Sequence, residues 1–225
     1  KCKSKQDGEG CFHRPDRTRF DARGFDMVLM IAGLVVFFAI HLLPTQPDVR
    51  GGMIERFGEG GYKGFFTIVS LVGFALIVFG YGKMQGELGS KNPIIWYPPV
   101  WTQHIAPLLM IPSLILLAAA YVPSNIKRIV GHPMLAAVKL WAFAHLLANG
   151  DLASIVLFGS FLAYAVFDRI SVKRREAAAG GPPVRTGGVT GDVIAVIVGL
   201  GVYAALVFFA HEWLFGVAPV PGIGA

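Results

Sequence analysis

At 225 residues, 54% hydrophobic and only 15% charged, with a mean hydropathy of +0.59, the chain is too apolar for an ordinary soluble domain and reads as an integral membrane protein. The formal net charge of +6 does not point to nucleic acid, because the basic residues fall between apolar runs, where they set topology. The expected fold class is all-α, a polytopic membrane helix bundle with about six transmembrane helices and the lipid bilayer as its main partner.

In chain order, residues 1–26 form a polar head of mixed charge that holds both cysteines, Cys2 and Cys11. Cys2, Cys11 and His13 lack the paired ligand spacing of a zinc module, so an unstructured head with free thiols is expected. Met27 directly precedes the first apolar run, which marks 1–26 as disordered or non-native upstream sequence, 27–215 as the transmembrane domain and 216–225 as a short tail. The first run ends in Ile40-His41-Leu42-Leu43-Pro44 without a small-x-small site, so it does not read as a cleavable signal.

Six apolar segments are predicted at about 25–43, 64–81, 101–121, 134–149, 151–168 and 191–212, most near the ~20 residues that a spanning helix needs. Only Gly150-Asp151 separates the fourth, which is short, from the fifth, so these two form a tight hairpin or a partly re-entrant pair. The connections are rich in breakers, at Pro44 to Pro47 and at Lys91 to Pro99, and the Ala/Gly/Pro-rich Ala177 to Gly188 reads as a flexible link. No internal repeat supports an inverted-repeat transporter, although two triplets of helices stay compatible with the pattern.

Basic residues set the orientation. The first, third and fifth loops carry Arg50, Arg56, Lys127, Arg128, Arg169, Lys173, Arg174, Arg175 and Arg185, against Lys83 and Lys91 in the second. Counted from Met27, this asymmetry puts the odd loops in the cytoplasm and both termini outside. Gly159 with Ala163, Ala195 with Gly199 and Gly201 with Ala205 offer faces for close helix packing within the bundle. Trp96, Tyr97, Trp101 and Trp213, at segment ends, read as interfacial anchors.

The stretch richest in chemistry runs from Gly131-His132-Pro133 to Asn149-Gly150-Asp151. Pro133 fits a first helical turn and Asn149-Gly150 an end. Between them Trp141, His145 and Asn149 recur every fourth residue and share a helix face, with Lys139 nearby. Five histidines, His41, His104, His132, His145 and His211, fall in or at the ends of apolar segments. Neutral imidazole is a usual intramembrane ligand for haem iron, and two histidines from different helices can hold one haem; for any single one, an interhelical hydrogen bond is the plainer role. Gly-x-Ser-x-Gly, Walker and dinucleotide fingerprints are all absent from the sequence, which leaves nucleophilic hydrolysis and nucleotide chemistry without support.

Leu34 to Pro44, Gly58-Glu59-Gly60-Gly61-Tyr62-Lys63-Gly64, the Gly131 to Asp151 run and the Lys/Arg-rich fifth loop together resemble NnrU, a family of bacterial integral membrane proteins named for an association with nitrite and nitric oxide reduction. The resemblance covers roughly residues 27–215 and implies a multi-pass protein of the bacterial inner membrane that serves denitrification. NnrU is similar in turn to the plant zeta-carotene isomerases, which hold haem b and isomerise a cis double bond in a carotenoid. By motif, their two histidine ligands fall on His41 and His145, and the resemblance extends to a hydrophobic small molecule as ligand. Their alternative cysteine ligand falls on Ala142, so a ligand exchange through a thiol is not open to this chain.

Depth suggests a rival grouping. The predicted topology puts His41 at the cytoplasmic end of segment one and His145 late in segment four, whereas two axial ligands of one haem must lie at similar depth. Depth alone groups His41 with His132 inside, and His104, His145 and His211 outside. A re-entrant fourth segment, or a buried part that begins near Lys139, removes the conflict. Three functions follow: a haem-binding NnrU-type protein, a haem-dependent polyene isomerase, and a cofactor-free assembly subunit.

Overall fold

The computed structural model of the protein describes residues 18–183 and 185–220; Cys2, Cys11 and His13 lie outside the described residues. The chain runs through α1 (Thr18–Leu42), α2 (Pro47–Gln85), α3 (Val100–Ala119), a short α4 (Asn125–Val130), α5 (Pro133–Ala148), α6 (Leu152–Ala178) and α7 (Val189–Ala205). The last continues through a π-helical turn, Leu206–Ala210, into α8 (His211–Phe215). Five helical stretches are long and apolar enough to cross a membrane: Asp26–Thr45, α2, α3, α6 and Val189–Phe215. With the shorter apolar α5 they make a six-helix membrane bundle, and the described residues contain only isolated β-bridges besides.

Local chemistry explains the boundaries. Pro47 and Pro133 occupy first helical turns, where a missing N–H costs nothing. Ser124 and Asp151 cap α4 and α6 by accepting from the backbone N–H three residues on. At Gly58 the backbone leaves helical geometry at a φ of 72°, open to glycine without strain, and α2 is kinked there into a short first part and a longer, apolar second part.

Helix α1 lies along α2, α3 sits between α5 and α7, α5 pairs with α6, and α6 also meets α1 and α2. Because lipid tails are as apolar as the side chains, close packing rather than burial from water holds such helices together. The closest approach is between α1 and α2, where a Cβ on Gly33 would sit 2.6 Å from the Ile77 nitrogen and one on Gly73 2.8 Å from that of Phe37. Met30, Leu34, Ile77, Met84, Ala142, Ala153, Leu157 and Phe158 form the core, while Ile68, Leu71 and Phe79 face outward as lipid-facing residues do.

Several expectations need correction. Helix α1 starts at Thr18, α2 begins 17 residues before the predicted 64, and α6 runs on to Ala178. Much of the basic fifth loop is therefore helix, in which Arg175 bonds Ser171 and pairs with Asp168. The Ala177 to Gly188 link is pinned: Arg185 reaches Glu176, and a Cβ on Gly187 would lie 2.7 Å from Asn125 Oδ1. Of the three small-residue faces, Ala195 with Gly199 packs closely, Gly199 against Ile115 of α3, whereas a Cβ on Gly159 or Gly201 would meet nothing within 4 Å.

Candidate cofactor site

The face of Trp141, His145 and Asn149 exists as the spacing predicts. His145 Nδ1 donates to the Trp141 carbonyl at 2.8 Å, and Asn149 Nδ2 donates to the His145 carbonyl at 2.9 Å. His41, at the end of α1, repeats the pattern by donating from Nδ1 to the Phe37 carbonyl at 2.7 Å. A carbonyl can only accept, so both imidazoles carry their proton on Nδ1, and in the neutral form Nε2 holds the lone pair. Neither Nε2 has a hydrogen-bond partner among the described residues. An Nδ1–H bonded to a carbonyl is the usual support of a metal-ligating histidine, since it fixes tautomer and ring orientation.

The two histidines lie on one aromatic interface between the α1/α2 pair and α5/α6. His41 stacks on Phe37 at 4.0 Å and meets Phe66 at 5.0 Å; His145 stacks on Phe158 at 4.5 Å and meets Trp141 at 5.2 Å. Phe161 joins the two groups, 5.5 Å from Phe37, 5.0 Å from Phe38 and 5.4 Å from Trp141. Tyr164 completes the wall by donating to the His41 carbonyl at 3.1 Å.

Helix α6 serves as a depth gauge. His145 stacks on Phe158, and His41 meets the edge of Tyr164, six residues on, about 9 Å along the axis. His132 bonds Glu176, twelve residues beyond Tyr164, or about 18 Å. His41 therefore sits nearer the level of His145 than that of His132, against the grouping by topology alone. The rings between them are in contact, so a porphyrin plate held by both histidines must displace Phe161.

Of the remaining histidines only His132 has its Nε2 engaged among the described residues; His211 shares the carbonyl-bonded Nδ1 and open Nε2 of His41 and His145, but its ring lies beside Phe215, at 5.0 Å, and makes no ring contact with the Phe161 cluster. His132 Nε2 donates to Glu176 Oε1 at 2.9 Å, in a cluster where Arg185 and Arg169 share the same carboxylate at 3.4 and 3.9 Å. His211 donates to the Val217 carbonyl at 2.7 Å, and His104 is exposed. Among the described residues, no group of three or more His, Cys, Asp or Glu is gathered to hold a bare metal ion. A porphyrin supplies four of the iron's ligands itself, so one or two histidines suffice for haem.

Sequence reasoning missed a second polar assembly, at the Asp151 end of α6. Asp151 Oδ1 accepts from Asn92 Nδ2 at 2.7 Å, Gln85 Nε2 at 3.0 Å and the Ser154 backbone at 2.9 Å, while Oδ2 accepts from Ser154 Oγ at 2.6 Å. Asn92 Oδ1 accepts from the Ala153 N–H, and the Tyr81 hydroxyl pairs with Ser154 Oγ. Ile95 and Trp96 donate to the Gly150 carbonyl, and a Cβ on Gly150 would fall on the Trp96 carbonyl oxygen. The loop from Gly86 to Pro99 is thereby fastened over the α5–α6 turn, and within it Lys91 and Ser90 hydrogen-bond Glu87 and hold its carboxyl below the usual range. The one sequence signal for this knot was Asp-x-x-Ser at 151–154, a helix N-cap pattern.

A bundle of apolar helices, five of them long enough to cross a bilayer, with a polar lock at one end and two histidines on an aromatic seam defines a polytopic membrane protein. The family model described as NnrU protein matches residues 29–219, and the chain belongs to the NnrU family. No curated protein and no solved structure is significantly similar to it.

Proposed function

We propose that this NnrU-family protein binds haem b through His41 and His145 in the bacterial inner membrane and serves nitrite and nitric oxide metabolism there. The observation that carries the haem assignment is the shared state of the two imidazoles: Nδ1 bonded to the carbonyl four residues back, and Nε2 open, on one aromatic seam. The donor chemistry fits, since neutral imidazole nitrogen is an ordinary axial ligand and the Phe, Trp and Tyr side chains around it suit the faces and edges of a porphyrin. His41 and His145 would hold the iron, Phe37 and Phe158 stack on their rings, and Phe161, which lies between the two groups, would have to move aside. When bound, the haem supplies a redox-active iron in a site that the surrounding apolar side chains keep from water. The association with nitrite and nitric oxide metabolism rests on family membership.

A second reading, a haem-dependent cis-trans isomerase of a polyene such as a carotenoid, is favoured by the apolar aromatic lining of the seam. Ala142, wholly buried beside it, carries no thiol for ligand exchange. The test is an absorption spectrum of detergent-purified protein from haem-replete cells. A Soret band near one haem per chain supports the proposal. Its absence overturns both haem readings and leaves a cofactor-free assembly subunit. Turnover of a cis-polyene by the haem-loaded protein would select the isomerase.

A further inference from the structure

Among the charged side chains of the Gly131–Asp151 run, Lys139 alone is tied to nothing among the described residues, since Asp151 and His132 are both paired. Lys63, Lys83 and Lys91 pair with Glu59, Asp26 and Glu87, and Lys127 donates to the Ala120 carbonyl. Lys139 instead lines an open groove of about 430 Å³ between α5 and α6 with Ala136, Leu140, Phe143 and Leu162. Trp141 and His145 each follow Lys139 and Phe143 by two residues, about 200° around the helix, so the groove is separate from the histidine seam.

Its depth identifies the occupant. Lys139 is six residues from Pro133, about 9 Å along α5, and helical side chains lean toward the N-terminus. The ammonium thus reaches toward the headgroup boundary at the Pro133 end, while Leu140, Phe143 and Leu162 lie deeper. A lone cation at the mouth of an apolar groove complements a ligand with an anionic head and an alkyl chain. We infer that this groove holds one anionic phospholipid of the leaflet at the Pro133 end, its phosphate on Lys139 and an acyl chain along Leu140, Phe143 and Leu162. Zwitterionic lipids fit less well, because their own cation competes for the phosphate.

Native mass spectrometry of the full chain, titrated with phosphatidylglycerol or phosphatidylcholine, tests this. The expected result is one retained phosphatidylglycerol, with affinity falling roughly fivefold or more in Lys139→Gln, the size of one basic contact at a lipid surface. Lys139→Arg should retain binding, and Ala136→Phe, which fills the groove and keeps the charge, should lose it. Lys173→Gln removes an exposed cation outside the groove and should change nothing. Equal binding of the two lipids, undiminished binding by Lys139→Gln, undiminished binding by Ala136→Phe, or equal losses in Lys139→Gln and Lys173→Gln would each overturn the inference, the last by showing diffuse attraction. Monodisperse elution of Lys139→Arg and Ala136→Phe keeps the comparison decisive if Lys139→Gln fails to fold.

Discussion

The Asp151 knot and the histidine seam are both polar assemblies inside one apolar bundle, and they differ in what they leave open. In the knot both carboxylate oxygens of Asp151 accept hydrogen bonds, and the Asn92 side chain uses both ends. In the seam each imidazole uses Nδ1 on its own helix and leaves Nε2 without a protein partner. A buried polar group left without its partner costs free energy, which is why the atoms of the knot are all paired. A closed assembly therefore holds structure together, whereas the open Nε2 atoms are what the proposed haem would use.

The largest effect expected from breaking this contrast is at the seam. His145→Ala or His41→Ala should lower bound haem at least tenfold, read from the absorbance per folded protein. Stability of the haem-free protein should fall by only about 1 kcal/mol, since a single intrahelical hydrogen bond is lost. The knot should behave in the opposite way. Asp151→Ala strands the Asn92 and Gln85 amides and should cost about 3 kcal/mol in a denaturation experiment in detergent, with haem per folded molecule unchanged.

Gly150→Ala sharpens the point without touching a polar side chain. Its Cβ meets the Trp96 carbonyl, so the loop from Gly86 to Pro99 must shift, and a loss of about 1–3 kcal/mol by the same measurement is expected. His104→Ala should have the smallest effect, within about 0.5 kcal/mol and with an unaltered spectrum, because the side chain is exposed and unpartnered among the described residues.

Local signals were legible in the sequence, and long-range ones were not. Pro133, Asn149 and the four-residue spacing of Trp141, His145 and Asn149 describe a single helix, and the structure realises that face. Asn92 stood in a run of loop residues, and its partner lies 59 positions away, where no periodicity reaches. Gly73 and Gly80 approach α1 seven residues apart, outside the four-residue pattern used to find packing faces. Residues 169–178 looked like a loop because they are charged, yet they continue α6, with Arg175 bonded to Ser171 one turn back. Phe158, Phe161 and Tyr164 recur at helical spacing, but only the docking of α6 against α1 and α5 shows that they join the two histidines.

The central proposal is that His41 and His145 would together hold one haem iron, and electron paramagnetic resonance of the oxidised, haem-loaded protein tests it most directly. Two imidazole ligands predict a low-spin ferric signal in the parent that turns high-spin, or vanishes with the haem, in either His→Ala variant, and persists in His104→Ala, His132→Ala and His211→Ala. A low-spin signal that survives in both His41→Ala and His145→Ala, or a high-spin parent, would contradict the account.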